Sequence, residues 1–355
     1  MKKMNNIKKN NGYDVTTQLG KDVHKIIRKY SDPVKYDLYR AKWAKASNLE
    51  EIPEYPLQID FELNYSCNFS CAMCTWSSEI TSGKGKSTWF NFNQFKQVID
   101  QGVENGLCAI RLNYINEPFI RKDIFDFIKY AKEKGILDIY LSTNGSLLTE
   151  AISKKLLDSG LTRIQVSIDA FTKETFDKIR QGGDFKKVVS NTLKFIKIRN
   201  QEKKELPTLR VNFVKTETNS HELDEFINYW SDKADCIGLQ DLVSIVKPNK
   251  SDLNRGKFSC AQPFYHMTIR YDGSILPCCT FFGAKLPIGR LSNEFSNTKN
   301  INDINLSKLP IRDIKETWKS KDMKELQEMH LEGRYYDNNI CKECINSSSN
   351  NDETI

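Results

Sequence analysis

The sequence predicts an α/β fold, a partial (β/α)6 barrel followed by a small C-terminal domain built from a β-hairpin and a helix. Between Leu57 and about Leu242, strand-like and helix-like segments alternate six times. Beyond Lys250 that alternation stops, and Asp272-Gly273 stands between two apolar runs, a strong hairpin signal. The length of 355 residues suits two domains, or one large domain with an appendage. Six βα units imply a parallel sheet with helices outside it, joined by right-handed connections. They are too few to close an eight-stranded barrel, so the barrel is expected to be partial.

The elements follow in order. Residues 1–20 are Asn/Lys-rich and are expected to be disordered. Residues 21–48 read as one or two helices (Val23, Ile26, Ile27, then Tyr36, Leu38, Tyr39, Trp43), broken near Pro33; Pro53 and Pro56 close an extension over 1–55. The barrel takes 56–245. Its strands are Leu57–Leu63, Leu107–Leu112, Leu137–Leu141, Arg163–Ile168, Leu209–Val214 and Cys236–Leu242. Between them the apolar residues recur at helical spacing, as in Phe92, Phe95, Val98, Ile99 and Val103, and several helices stop at glycines such as Gly135 and Gly160. Residues 246–355 form the second domain, where Ile314, Trp318 and Leu326 suggest one amphipathic helix.

Composition narrows the class. With 39% hydrophobic and 28% charged residues the chain is ordinary for a soluble globular protein. No run of 18 apolar residues is present and the first ten residues lack the apolar stretch of a secretory signal, so neither a membrane span nor export is expected. Ten cysteines without such a signal indicate a reducing compartment, by default the cytoplasm. Of the net charge of +7, +5 lies in residues 1–55, from twelve Lys/Arg against seven Asp/Glu. Such a tail is ordinarily solvated, and a nucleic-acid partner is not expected.

The most informative run is Asn64-Tyr-Ser-Cys67-Asn-Phe-Ser-Cys71-Ala-Met73-Cys74. Three thiolates at C-x3-C-x2-C spacing suit a four-iron cluster and leave one iron without a protein ligand. Buried structural cysteines or half of a zinc site are the plainer alternatives. The run, with bulky Met73 before its last cysteine, resembles the signature of the radical S-adenosylmethionine (radical SAM) enzymes. That resemblance implies a [4Fe-4S] cluster on Cys67, Cys71 and Cys74, with S-adenosylmethionine chelating the open iron, and a radical SAM barrel whose chemistry lies at the C-terminal ends of the strands.

Other segments carry the same resemblance. Ile115-Asn116-Glu117-Pro118 stands where the family usually has Gly-Gly-Glu-Pro, a segment that holds the methionyl amino group; the glycines are absent here, so the backbone at 115–116 is in question. A carboxylate or amide oxygen suits an ammonium group, although a surface acid would look the same. Ser142-Thr-Asn144-Gly145 is similar to a family segment near the nucleoside. Val166-Ser167-Ile-Asp169-Ala170 resembles one that contacts ribose and methionyl carboxylate, yet Asp169 would serve equally as a helix N-cap. In Lys178-Ile-Arg180-Gln-Gly182 the resemblance brings Arg180 to the cofactor carboxylate or pairs it with an acid.

The second cysteine set is Cys260, Cys278 and the knuckle Cys341-Lys-Glu-Cys344. It resembles the twitch domain, the shorter relative of the SPASM domain, which implies one auxiliary [4Fe-4S] cluster on these four residues; a zinc ion on the same thiolates is the alternative. Cys279 is spare, as packing, as a hydrogen-atom donor or as a backup ligand. Cys108 and Cys236 fall at strand starts and read as packing. None of His24, His221, His266 and His330 sits at a predicted strand end, so no histidine base is evident.

The resemblance implies reductive cleavage of S-adenosylmethionine and hydrogen abstraction, with electrons from a flavodoxin- or ferredoxin-type protein. The cysteine layout is similar to that of twitch-type dehydrogenases, which oxidise an alcohol of an aminocyclitol. A sugar-like small molecule is therefore the expected substrate, with a peptide or protein maturase and a radical epimerase as alternatives. Peptide maturases often carry a leader-binding domain, and the extension before Leu57 is short, helical and without strand patterning. A zinc-stabilised nucleic-acid-binding protein would leave the Cys67 run and the six βα repeats unexplained.

Overall fold

The computed structural model describes residues 13–74, 77, 89–242, 259–292 and 308–347. The strands are β1 (Tyr13–Val15), β2 (Gln58–Phe61), β3 (Ala109–Arg111), β4 (Asp138–Thr143), β5 (Arg163–Ser167), β6 (Thr208–Lys215), β7 (Cys236–Asp241), β8 (His266–Ile269), β9 (Ser274–Leu276) and β10 (Gly289–Arg290). They form one sheet in the order β1-β7-β6-β5-β4-β3-β2-β8-β9-β10. From β2 to β7 neighbours in the chain are neighbours in the sheet and all run parallel, which is the (β/α)6 arrangement expected.

The helices are α1 (Val23–Lys29), α2 (Pro33–Ser47), α3 (Phe92–Asn105), α4 (Ile124–Glu133), α5 (Glu150–Leu157), α6 (Lys173–Ile179), α7 (Phe185–Gln201), α8 (Leu223–Trp230), α9 (Ile314–Trp318), α10 (Lys321–Leu331) and α11 (Asn339–Ser347). Their ends are set by capping residues. Asn91, Thr149, Thr172 and Asp184 each accept backbone N–H bonds at a helix start, and Gly106 ends α3 at φ +96, a conformation glycine adopts without strain.

Side chains alternate across each strand, so the two faces of the sheet carry different chemistry. Ile59, Phe61, Ile110, Ile139, Leu141, Ile164, Val211, Phe213 and Ile237 pack with Phe95, Phe127, Phe195 and Phe226 of the surrounding helices, all of them fully buried. Each such side chain contributes about 1.5–3 kcal/mol by leaving water. The opposite, inward face is polar, with buried Gln58, Asp60, Glu62, Asn212, His266, Thr268 and Arg270.

α1 and α2 lie across the N-terminal end of the barrel. Ile27, Tyr36, Tyr39 and Ala46 pack there with Leu57, Ala109, Leu137 and Tyr265, which stand at or immediately before the starts of β2, β3, β4 and β8. The break near Pro33 is where Asp32 caps α2.

Two expectations are corrected. Disorder over 1–20 does not hold for Tyr13–Val15, which pairs antiparallel with β7 and covers that edge of the sheet. The single amphipathic helix through Ile314, Trp318 and Leu326 is two helices, because the Ser320 hydroxyl accepts the Met323 N–H and starts a new one after α9 has ended. The hairpin at Asp272-Gly273 forms as β8 and β9, with Thr268 opposite Leu276. It does not stand apart, since β8 pairs in parallel with β2 and extends the barrel sheet. The domain boundary expected at 245/246 lies outside the described residues.

Candidate active site

The Cys67–Cys74 loop leaves the C-terminal end of β2 and is fixed by its neighbours. Ser70 N–H donates to Gln181 O at 2.7 Å and Ala72 N–H to Ile179 O at 3.0 Å, tying the loop to the end of α6. Asn144 Nδ2 donates to Asn68 Oδ1 at 2.9 Å and lies 4.0 Å from Cys67 Sγ. Arg180 NH1 lies 3.6 Å from Cys71 Sγ. Cys71 is buried, while Cys67, Met73 and Cys74 are half-buried. Burial pushes the Cys67 thiol up to about 12, with Glu117, Cys71 and Cys74 adding to the effect. Three sulfurs that feel one another in a dry space suit a cationic iron centre that takes up thiolate charge.

Of the expected cofactor residues, Asn116, Glu117, Asn144 and Arg180 bond to this loop or to the residues just before it, and Asp169 reaches it through Arg180. Glu117 is 2% exposed, which excludes the alternative of a surface acid. Its Oε1 accepts from Phe119 N–H at 3.1 Å and the Thr143 hydroxyl at 2.8 Å, and its Oε2 accepts from Asn144 N–H at 2.7 Å. The carboxylate therefore braces the β3 and β4 loops against each other. Asn116 donates to Asn64 Oδ1 at 2.7 Å and accepts Tyr114 N–H at 3.0 Å. Neither Ile115 nor Asn116 has positive φ, so the missing glycines are not required by this backbone. Ser142 and Ser167 are half-buried at the ends of β4 and β5.

Asp169 is fully buried and adopts φ +60, unusual for a residue other than glycine. Arg180 Nε donates to its Oδ2 at 2.6 Å and NH2 to the same oxygen, and Val214 N–H donates to Oδ1 at 2.7 Å. Asp169 is thus an ion-pair partner and not an N-cap; the cap of α6 is Thr172. Arg180 pairs with an acid, as one of its two expected roles had it, and bridges that acid to Cys71.

Glu117 titrates in a testable way. Burial pushes it up to about 7 from an ordinary 4.5, against the opposing bonds from Asn144, Thr143 and Phe119. Such a carboxyl holds its proton more tightly folded than unfolded, so its stabilising contribution is full below about pH 4.5 and is lost as pH rises through about 7. Glu117→Gln removes that titration. In urea unfolding, the stability of wild type minus variant is expected to fall between about pH 5 and about pH 8; a flat difference would refute the assignment.

The second cysteine set converges beside the β8–β9 hairpin. Cys278 follows β9, Cys260 precedes the short helix Gln262–Phe264, and Cys341 and Cys344 lie on α11. Burial pushes Cys260 well above its ordinary range, with Cys278, Cys344 and Cys341 adding to it, while burial brings Cys341 and Cys344 to about 12. Among the described residues no three His, Cys, Asp or Glu side chains surround a single ion. Four buried thiols that raise one another's proton affinity suit a metal centre that takes up thiolate charge.

Tyr65, Tyr114, Tyr271, Ile115, Leu276 and Ala284 form a wall against which Cys67 and Cys74 pack. Tyr65 and Tyr271 stack at 4.4 Å, and the Arg270 guanidinium lies within 5.3 Å of both rings while its Nε donates to Glu62 Oε2 at 3.0 Å.

Sequence reasoning missed the inward-facing cluster around Cys279. Cys279 Sγ lies 3.4 Å from Gln262 Oε1, which accepts from His266 Nδ1 at 2.9 Å, and His266 Nε2 is 3.1 Å from Asp60 Oδ1. Burial alone would lower His266, but Asp60 and Cys279 carry it up to about 10. The alternation Gln58-Ile-Asp60-Phe-Glu62 was the signal that polar side chains line the interior. Cys236 is buried at the start of β7, and Cys108 is half-buried just before β3.

Comparison with known proteins agrees with this geometry. Residues 61–227 match the family model described as the Radical SAM superfamily, and residues 260–345 match an iron-sulfur cluster-binding domain, SPASM. A probable GTP 3′,8-cyclase of Metallosphaera sedula is 31% identical over 201 residues, 56% of this chain and 58% of the relative. The chain spans between half and three-fifths of the length of the first curated relatives it matches. Among solved structures, BtrN in complex with AdoMet and 2-DOIA superposes with a TM-score of 0.51 at 17% identity, covering 86% of this chain and 98% of that one. Streptococcus suis SuiB bound to precursor peptide SuiA gives 0.55 at 15% identity, covering 81% and 69%. Likeness at such identities concerns the fold alone.

Proposed function

The chain belongs to the radical SAM superfamily and carries a SPASM iron–sulfur domain, and from that premise we propose that it oxidises an alcohol of a hydroxyl-rich, sugar- or aminocyclitol-like small molecule. Its cofactors are S-adenosylmethionine with a [4Fe-4S] cluster, and an auxiliary iron–sulfur cluster. Cys67, Cys71 and Cys74 would hold the first, and Cys260, Cys278, Cys341 and Cys344 the auxiliary [4Fe-4S] cluster. When bound, these groups supply a 5′-deoxyadenosyl radical that takes a hydrogen atom from substrate, and an acceptor for the second electron.

The protein's own part is positioning and proton handling. Asn116, Glu117, Ser142, Asn144, Ser167 and Asp169 would shape the loops around S-adenosylmethionine at the strand ends, with half-buried Met73 beside the cofactor, and Arg180 orients Cys71. Glu62, at the end of β2, is raised to about 7 by burial, and its Oε1 has no hydrogen-bond partner among the described residues. A carboxylate poised there suits the proton released when an alcohol becomes a ketone.

The observation that carries the substrate class is the polar lining of the barrel. Gln58, Asp60, Glu62, Asn212 and Arg270 offer buried donors and acceptors on the inner face. Among these, Asp60 Oδ2, Glu62 Oε1 and Asn212 Oδ1 have no hydrogen-bond partner among the described residues; hydroxyl or amino groups of a ligand can donate to them, whereas an apolar ligand would leave them stranded. A radical epimerase is the second reading, favoured by Cys279, whose S–H faces Gln262 Oε1 at 3.4 Å on that side of the barrel and would be the hydrogen-atom donor. The electron donor would be a flavodoxin- or ferredoxin-type protein in the cytoplasm; among the described residues no helix is long and apolar enough to cross a membrane.

The test is anaerobic reconstitution followed by turnover on aminocyclitols, sugars and peptides. About eight irons per chain are expected, with 5′-deoxyadenosine and a ketone forming only from polyol-type substrates. Ketone formation unchanged in Cys279→Ala selects dehydrogenation, whereas loss of an inverted alcohol in that variant selects epimerisation. Turnover confined to peptides would overturn both.

A further inference from the structure

Building on the assignment of Cys260, Cys278, Cys341 and Cys344 as ligands of the auxiliary cluster, we propose that Thr280 tunes that cluster through its hydroxyl, with Tyr114 as the residue that positions the Thr280 loop. Thr280 Oγ1 lies 3.6 Å from Cys278 Sγ and 3.7 Å from Cys344 Sγ. One hydroxyl thus faces two sulfurs from opposite ends of the C-terminal domain.

The local geometry leaves that hydroxyl little else to do. Gly283 N–H donates to Thr280 Oγ1 at 3.3 Å, which occupies an oxygen lone pair and leaves the single O–H proton for a sulfur. Once the cysteines are thiolates they can no longer donate, so the threonine becomes the donor. Gly283 brings the loop close, since a Cβ there would meet Cys278 Sγ at 2.8 Å. Tyr114 OH donates to Thr280 O at 2.5 Å. Tyr114 belongs to the aromatic wall that packs against Cys67 and Cys74. The loop beside the auxiliary sulfurs is therefore anchored to the wall of the first cysteine loop.

Hydrogen bonds to cluster sulfurs stabilise the reduced, more negative state and raise the reduction potential. Thr280→Val keeps the shape and deletes the donor. In EPR-monitored redox titration of the full-length reconstituted chain, the auxiliary midpoint is expected to fall by about tenfold in the reduction equilibrium, ~59 mV for one electron. Iron content and the potential of the first cluster should stay unchanged, and Thr280→Ser should restore the wild-type midpoint. If the valine variant does not load, Thr280→Ala carries the same comparison.

A fully loaded variant with an unmoved midpoint overturns the proposal, as does a serine variant that shifts as far as valine. Loss of the auxiliary irons in both valine and alanine variants overturns it too, because Thr280 would then be holding the loop. A wild-type chain that loads only about four irons removes the ligand assignment and this inference together, whereas about eight irons with an immobile potential removes this inference alone.

Discussion

A Cys71→Ala protein is expected to lose reductive cleavage of S-adenosylmethionine entirely, while its iron falls from about eight to about four per chain. The loop itself should survive. Its hold on the barrel runs through Ser70 N–H to Gln181 O and Ala72 N–H to Ile179 O, and neither bond involves the Cys71 side chain. Alanine therefore removes one sulfur of three and leaves the other two in place, too few to retain a cluster with one open iron. The measurement is 5′-deoxyadenosine production under strong reductant, alongside iron counting and circular dichroism. Cleavage retained at the wild-type rate would defeat the assignment of the first cluster.

Arg180→Ala should be the most damaging single change to stability near the site. It strands Asp169, a fully buried carboxylate then left, among the described residues, with the Val214 backbone N–H as the donor to its side chain. Removing one partner of a buried ion pair costs about 3–5 kcal/mol, because the other charge stays in a dry environment. Asp169 also holds φ +60, a conformation that persists only where its surroundings enforce it. Urea unfolding should register the loss, and the double variant Asp169→Ala/Arg180→Ala should recover part of it. A single variant within about 1 kcal/mol of wild type would mean that the pair is not what holds this corner. Arg180→Lys should not rescue fully, since a single ammonium cannot reach both Asp169 and Cys71 as the guanidinium does.

The parts of this protein that depend on neighbours in the chain were legible in its sequence. The cysteine spacing from Cys67 to Cys74, the helical period from Phe92 to Val103 and the turn at Asp272-Gly273 each occupy one short window, and each lies where expected. What could not be read is what distant residues do to one another. Asp169 looked like an N-cap because Arg180 and Val214 reach it only through the fold. Glu117 was legible as a carboxylate of the cofactor segment, but its bonds to Thr143 and Asn144 were not, because those residues arrive from the next strand. His266 seemed idle because Asp60, more than two hundred residues earlier, faces it only once β8 has joined β2. Tyr13–Val15 is too short to carry any period, and only its pairing with β7 makes it a strand.

The place of β8 beside β2 makes the C-terminal cysteine domain part of the barrel's skeleton. β2 is an interior strand only because His266–Ile269 lies along it. A chain cut short before that segment would expose a raw margin of peptide groups, the kind of border along which copies adhere edge to edge. A barrel produced without His266–Ile269 is therefore expected to self-associate, whereas the full-length chain keeps that margin covered.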